Sequence, residues 1–307
     1  MLVSNNIMIL RRPGMDLRLL KEDRRHGTPE FPFAVYAMDR QTGETILDNH
    51  WHDEVEFLWV EQGRATFQIG LSTYELEEGD VIFVPGGEVH GGFSDEGFSC
   101  SYRAAVFRLD WLAEGRDGIA SRYVQPLAGG EAEIPLYYDG ATKTGRRVAG
   151  RLKRMFRMGE SESDARELRI KAELYSLLAD LIDRGQWRRA APGRSVSTYT
   201  VERLKEVVAY METHFSQPLS VPMLAEIAGM SAGHFSRMFK IVMRKTPMDY
   251  LNQYRIRQAA HLLQNTDWSV AEVALESGLT NFSYFSKKFS ATHACTPSQF
   301  RKKFRSL

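Results

Sequence analysis

Three imidazoles and a carboxylate carry the most reactive chemistry of this 307-residue chain. His50, His52 and Glu56 fall at even spacings, and side chains two apart on a β-strand share a face. One strand is therefore expected to present all three, with His90 brought to them by a second strand. Two uses of the set stay open. Three histidines and a glutamate suit Mn, Fe, Ni or Zn as a metal site. The same four groups can instead hydrogen-bond a polar effector directly. His214, His234, His261 and His293 show no clustering and are expected to pack or face solvent. A second set lies near the C-terminus. Gly233, Ser236, Arg237 and Lys240 share one helix face, and Ser283, Ser286 and Lys287 repeat it about fifty residues on. Hydroxyl and basic side chains on one face suit the base edges and phosphates of duplex DNA.

The elements that must position this second set are written twice. The first copy runs Leu224-Ala225, Gly229, Ser231, His234-Phe235-Ser236-Arg237, Phe239, Thr246-Pro247 and Tyr250. The second runs Val273-Ala274, Gly278, Thr280, Tyr284-Phe285-Ser286-Lys287, Phe289, Thr296-Pro297 and Phe300. Each copy reads as a short helix, a turn, a second helix and a stop, which is the order of a helix-turn-helix. Ala225 and Ala274 allow close helix crossing. Gly229 and Gly278 suit the positive φ of a tight turn. Ser231 and Thr280 are expected to cap the second helices. Phe235 with Phe239, and Phe285 with Phe289, are four apart and face inward. Pro247 and Pro297 end one helical run and open the next. Ordinary bundle packing is the plainer alternative. The repetition of so many features in one order favours DNA binding.

The stretch from about Tyr199 to Phe304 resembles the DNA-binding domain of the AraC/XylS transcription regulators. That resemblance implies a linker helix between the two units. Pro247 to Gln264 fits it, with Ile256, Ala259, Ala260 and Leu263 as its apolar stripe. It also implies base contacts from the outward residues named above, in successive major grooves. The chain departs from the family pattern at Arg244 and Ala294, where glycine is usual, and at Leu279, where an aromatic is common.

The first half has another texture. Short β-rich runs, Phe57 to Val60, Ala65 to Ile69, Val81 to Val84 and Cys100 to Phe107, are separated by Gly63, Gly70, Gly79, Gly86 and Gly87. Such runs predict an antiparallel barrel or jelly roll. His50-x-His52-x-x-x-Glu56 and Gly79-x5-Pro85-x-Gly87-x-x-His90 resemble the two signature segments of the cupins. Many AraC-type regulators carry such a domain, and the resemblance implies a sensor for a sugar or similar small molecule. Two helices are expected after it. Arg146 to Met158 is basic. Ala165 to Ile182 has one stripe of Leu174, Leu177, Leu178 and Leu181 to cover the barrel. A second stripe, Leu168, Ala172, Tyr175, Ala179 and Ile182, is available to pair with another copy in a homodimer.

Charge divides the chain. Residues 199–307 hold 14 Lys and Arg against 8 Asp and Glu, whereas residues 1–198 hold 26 against 31. A basic C-terminal part suits a phosphate backbone. Cys100 and Cys295 are expected as free thiols in a reducing compartment. Neither a secretory segment nor a membrane span is legible, so a cytoplasmic protein is expected. The domains are placed at 1–187 (cupin-like effector-binding and dimerisation), 188–198 (linker, around Pro192 and Gly193) and 199–307 (two helix-turn-helix units). A helix from Val201 to Phe215 opens the last. The fold class is α+β in two domains, an N-terminal cupin-like antiparallel β-barrel with C-terminal helices, then an all-α domain. The reading is a non-enzymatic, effector-responsive transcription regulator, with no cofactor beyond a possible divalent metal. DNA, a sugar-like effector, a second copy and, for an activator, RNA polymerase are its partners. A metal-dependent cupin enzyme with an appended DNA-binding domain is the alternative.

Overall fold

The computed structural model describes residues 7–9, 20–22, 24–40, 45–94, 98–113, 118–190 and 196–305. Two compact units divide the chain, the first holding Leu20–Gly193 and the second Arg194–Leu307. The first unit carries β1 (Ile7–Ile9), β2 (Phe33–Arg40), β3 (Leu47–His50), β4 (Val55–Ile69), β5 (Ser72–Glu77), β6 (Val81–Val84), β7 (His90–Phe93), β8 (Cys100–Phe107), a short α1 (Gln125–Ala128), β9 (Ala132–Glu133) and β10 (Tyr137–Tyr138). The named strands pair antiparallel except β1 with β2, and an isolated bridge between Lys21 and Trp51 is parallel too. Strand β4 is the hub, bonded along its length to β8, β6, β7 and β5.

Two runs expected as separate strands are one. β4 passes straight through Gly63, whose φ is +82°. A register shift between Val60 and Gln62 marks a bulge. One extra residue in a strand reverses which side chains face which side. Leu58 and Val60 lie inside the barrel before the bulge, and Ala65, Phe67 and Ile69 lie inside after it. The odd residues Val55, Phe57 and Trp59 face outward.

That outer face is covered by α2 (Lys143–Gly159) and α3 (Arg166–Asp183). Val148, Leu152, Met155 and Phe156 of α2, with Ile170, Leu174, Leu177, Leu178 and Leu181 of α3, join its core cluster. Arg151 and Arg154 of α2 reach Glu173 of α3, and Arg147 and Arg151 reach Asp180. The second stripe of α3 is divided: Leu168 is 74% exposed, Ala172 and Ala179 are exposed and Ile182 is half-buried, whereas Tyr175 packs against the core with its hydroxyl donating to the Leu112 carbonyl. At the two edges of the stretch expected as a linker, Arg188–Arg189 form β11, paired with β9, and residues 196–198 are helical. Residues 191–195, with Pro192 and Gly193, lie outside the described residues.

The second unit is helical: α4 (Val196–Thr213), α5 (Val221–Ile227), α6 (Ala232–Met243), α7 (Pro247–Asn265), α8 (Val270–Glu276), α9 (Phe282–His293) and α10 (Pro297–Arg305). Helix α4 ends before Phe215, and the chain then turns ahead of Pro218. Side-chain caps start α5, α6, α7, α8 and α9, satisfying first-turn N–H groups that have no helical partner. Ser231 caps α6 as expected, but Asn281 rather than Thr280 caps α9, its Oδ1 accepting from Tyr284 N at 2.9 Å. Gly229 and Gly278 have φ of +66° and +75°. Arg244 and Ala294 also take left-handed φ, +57° and +55°, so the usual glycine geometry is kept without the glycine.

Candidate functional site

His50, His52, Glu56 and His90 converge. One ligand atom from each lies within 4.8 Å of those of the other three. The route differs from the one the period-two pattern implied. His50 ends β3, His52 sits in the connection, and Glu56 belongs to β4. What joins them is β7, whose His90 pairs with His50 of β3 and with Ile69 of β4. His52, Glu56 and His90 are buried, and His50 is partly buried.

The hydrogen bonds fix what these rings present. Nδ1 of His50, His52 and His90 lies 2.8, 3.1 and 2.9 Å from the carbonyl oxygens of Asp48, Glu54 and Glu88. A carbonyl oxygen only accepts, so each Nδ1 carries the hydrogen and Nε2 is left to the cluster. Nε2 of His52 and of His90 stands 3.4 and 3.1 Å from Glu56 Oε2. A lone pair facing a carboxylate is repulsive unless a proton or a cation lies between them. Burial pushes the Glu56 carboxyl up, but the bonds from His52 and His90 outweigh it and hold it well below the usual range. Burial opposes charge on His52, yet the bond to Glu56 raises it. Burial and the neighbouring His90 push His50 down to about 4. The donor set fits a divalent ion, since metal-bound imidazoles commonly donate their other N–H to a carbonyl.

Two partners carry no motif and were missed in the sequence. Glu22 Oε2 lies 3.5 Å from His50 Nε2 and 3.5 Å from His26 Nε2. His26 Nδ1 is 2.8 Å from the Tyr36 hydroxyl. The segment reaches the cluster because Leu20 and Glu22 bond the backbone of Trp51. Only the four-residue spacing of Glu22 and His26 hints at this, and that spacing is common.

The second set is displayed by the helical unit. Phe235, Phe239, Phe285 and Phe289 are fully buried. The opposite faces therefore turn outward. Gly233, Arg237 and Lys240 of α6, with Ser283 and Lys287 of α9, are exposed, and Ser236 and Ser286 are half-buried. Arg237 Nη2 lies 3.2 Å from His234 Nδ1, one turn back. Between the two helix-turn-helix motifs of the helical unit, α7 places Arg255 inward, where its Nε and Nη2 donate to the carbonyls of Phe215 and Gln217, each at 2.7 Å.

Comparison with known proteins follows this division. Residues 34–178 match the family of the AraC-like ligand binding domain, and residues 224–303 match a helix-turn-helix domain family. The chain is 26% identical over 284 residues to the uncharacterized HTH-type transcriptional regulator YdeC of Bacillus subtilis, spanning 92% of this chain and 96% of that protein. It is 25% identical over 279 residues to the HTH-type transcriptional activator RhaS of Klebsiella pneumoniae, spanning 90% and 96%. The DNA-binding domain of AdpA, solved with a target DNA, is 32% identical over 34% of this chain and 94% of that one, with a TM-score of 0.33.

Proposed function

The chain belongs to the AraC family of transcription regulators, and on that premise we propose that its barrel binds a sugar or related metabolite that alters DNA binding by the helical unit. The observation that carries the sensor reading is the buried polar cluster. Burying imidazoles and a carboxylate costs stability unless a partner satisfies them. An apolar set would fill the same space more stably, so the cost points to a ligand. His50, His52, Glu56 and His90 are the effector-binding residues of this reading. Their atoms stand too close for a sugar ring between them. The effector therefore lies beside the cluster and takes its hydroxyl contacts from one side. It acts through its difference in affinity for two states of the protein.

Further assignments accompany this reading. Residues 1–187 form the effector and dimerisation domain, residues 188–198 the linker, and residues 199–307 the DNA-binding domain. The outward part of the second α3 stripe supports a homodimer. Gly233, Ser236, Arg237, Lys240, Ser283, Ser286 and Lys287 contact DNA, with α6 and α9 in successive major grooves roughly 34 Å apart. The relatives named RhaS, a transcriptional activator, support activation, and an activator would have RNA polymerase as a partner. Among the described residues no helix is long and apolar enough to cross a membrane. A regulator meets its DNA in the cytoplasm, and no catalytic role is assigned. The test titrates a panel of monosaccharides into the purified full chain, reading melting temperature and affinity for DNA upstream of the neighbouring genes. One sugar should raise the first and change the second, and His50→Ala should remove both effects. A panel that moves neither overturns the sugar sensor.

A second reading rests on the three Nδ1–carbonyl contacts. His50, His52, Glu56 and His90 would hold a Mn, Fe, Ni or Zn ion, which would supply a Lewis acid for an effector oxygen. Elemental analysis of untagged protein prepared without chelator should then give close to one ion per chain, lost in His52→Ala. Protein without metal under those conditions leaves the direct polar pocket.

A further inference from the structure

The two recognition helices begin differently. Helix α6 opens with Ala232, Gly233 and His234, and α9 opens with Phe282, Ser283 and Tyr284. A recognition helix meets the base edges with its N-terminal residues. At that end of α9 the Phe282 ring is 50% exposed. A single exposed apolar side chain is ordinary on a protein surface. This one stands in the first turn of the helix whose opposite face is buried by Phe285 and Phe289.

The surroundings hold the edge of that turn in place. The Phe282 ring lies 6.1 Å from the fully buried Phe285 ring. Next to it, the Tyr284 hydroxyl accepts from Asn252 Nδ2 of α7 at 3.1 Å. The Lys288 ammonium is 5.9 Å from the Tyr284 ring. Phe282 thus presents a ring with no hydrogen-bonding atom. In the major groove the apolar feature that distinguishes one base from the rest is the C5-methyl group of thymine. The matching position of α6 is Ala232, and its nearby reader is Arg237, whose fork suits the O6 and N7 acceptors of guanine.

We propose that Phe282 reads a thymine methyl, so that α9 and α6 distinguish their two half-sites by different chemistry, a methyl contact and a hydrogen-bonded guanine. This rests on the DNA-binding regulator reading above. Phe282 is then a specificity-determining residue that adds nothing to the electrostatic attraction, because it carries no charge.

The test uses the purified full chain and duplexes that it enriches from a randomised library. Each thymine of the half-site under α9 is replaced in turn by uracil, which removes only the methyl group. One such replacement should weaken the parent about fourfold, the effect of burying a single methyl. Phe282→Ala should bind the thymine duplex more weakly and make no distinction between thymine and uracil. Phe282→Leu should restore part of the preference. The salt dependence should be the same for all three proteins, since no phosphate contact changes. The inference is overturned if no uracil weakens the parent, or if Phe282→Ala keeps the parent's preference for thymine. A library that yields no enriched sequence strikes instead at sequence-specific DNA binding itself.

Discussion

The two helix-turn-helix units share inward phenylalanines, a left-handed turn glycine and a left-handed helix end, but their turns sit in different surroundings. Around Gly229 there is open space, and an added Cβ would meet nothing within 4 Å. At Gly278 an added Cβ would stand 2.7 Å from the Phe215 carbonyl oxygen, 2.9 Å from Arg255 Nε and 3.0 Å from Ser216 Cα. The first glycine is needed for its φ alone. The second is needed for its φ and for its lack of a side chain. One motif, repeated, therefore does two jobs. The first turn only redirects the chain, whereas the second is also a contact surface, against which α7 and the turn that follows α4 are set.

The largest expected effect separates the two turns. Gly278→Ala should cost about 3 kcal/mol, from left-handed strain plus backbone collision. Gly229→Ala should cost about 1 kcal/mol, from strain alone. Urea denaturation of the full chain, with hydrogen exchange read in peptides from 196–305, measures both. Equal losses would mean that the second turn has no special tightness.

Arg255→Met comes next. It keeps the apolar stem but leaves the Phe215 and Gln217 carbonyls without their charged donor, at a cost of about 2 kcal/mol. Exchange should rise both at residues 214–219 and around Gly278, because one side chain serves both places. A rise confined to α7 would break the link between the units that this comparison draws.

Arg237→Ala should cost about 1–3 kcal/mol at one position of the recognised DNA. Lys240→Ala should weaken all sequences alike and lower the salt slope by about one. Binding titrations on single-base variants at several salt concentrations distinguish these outcomes. A mutant Arg237→Ala that still discriminates every base as the parent does would remove that residue from base reading.

The smallest effect is a gain. Arg244→Gly and Ala294→Gly should each stabilise by about 1 kcal/mol, since each residue now takes a φ that costs a side chain energy. Similar gains at both would show that the helix ends, unlike the turns, are equivalent in the two units. A loss at either would mean that its side chain contributes more than the strain removes.

The sequence by itself determined the repeated helical grammar, because caps, turn glycines and the four-residue spacing of phenylalanines act within a few residues of chain. Gly229, Gly278, Ser231 and Pro247 therefore stand where their types imply. It also singled out four polar residues of the first unit that the fold brings together, though not how they meet. Tertiary structure decided that β7 brings His90 to His50, that a bulge lets β4 keep both ends of its apolar pattern inside, and that Glu22 and His26 complete the cluster. It also decided that Asn281 caps α9 and that Gly278 is pressed against the carbonyl of Phe215. Strand pairing and the approach of distant backbone depend on residues far apart in the chain, and no local period records them.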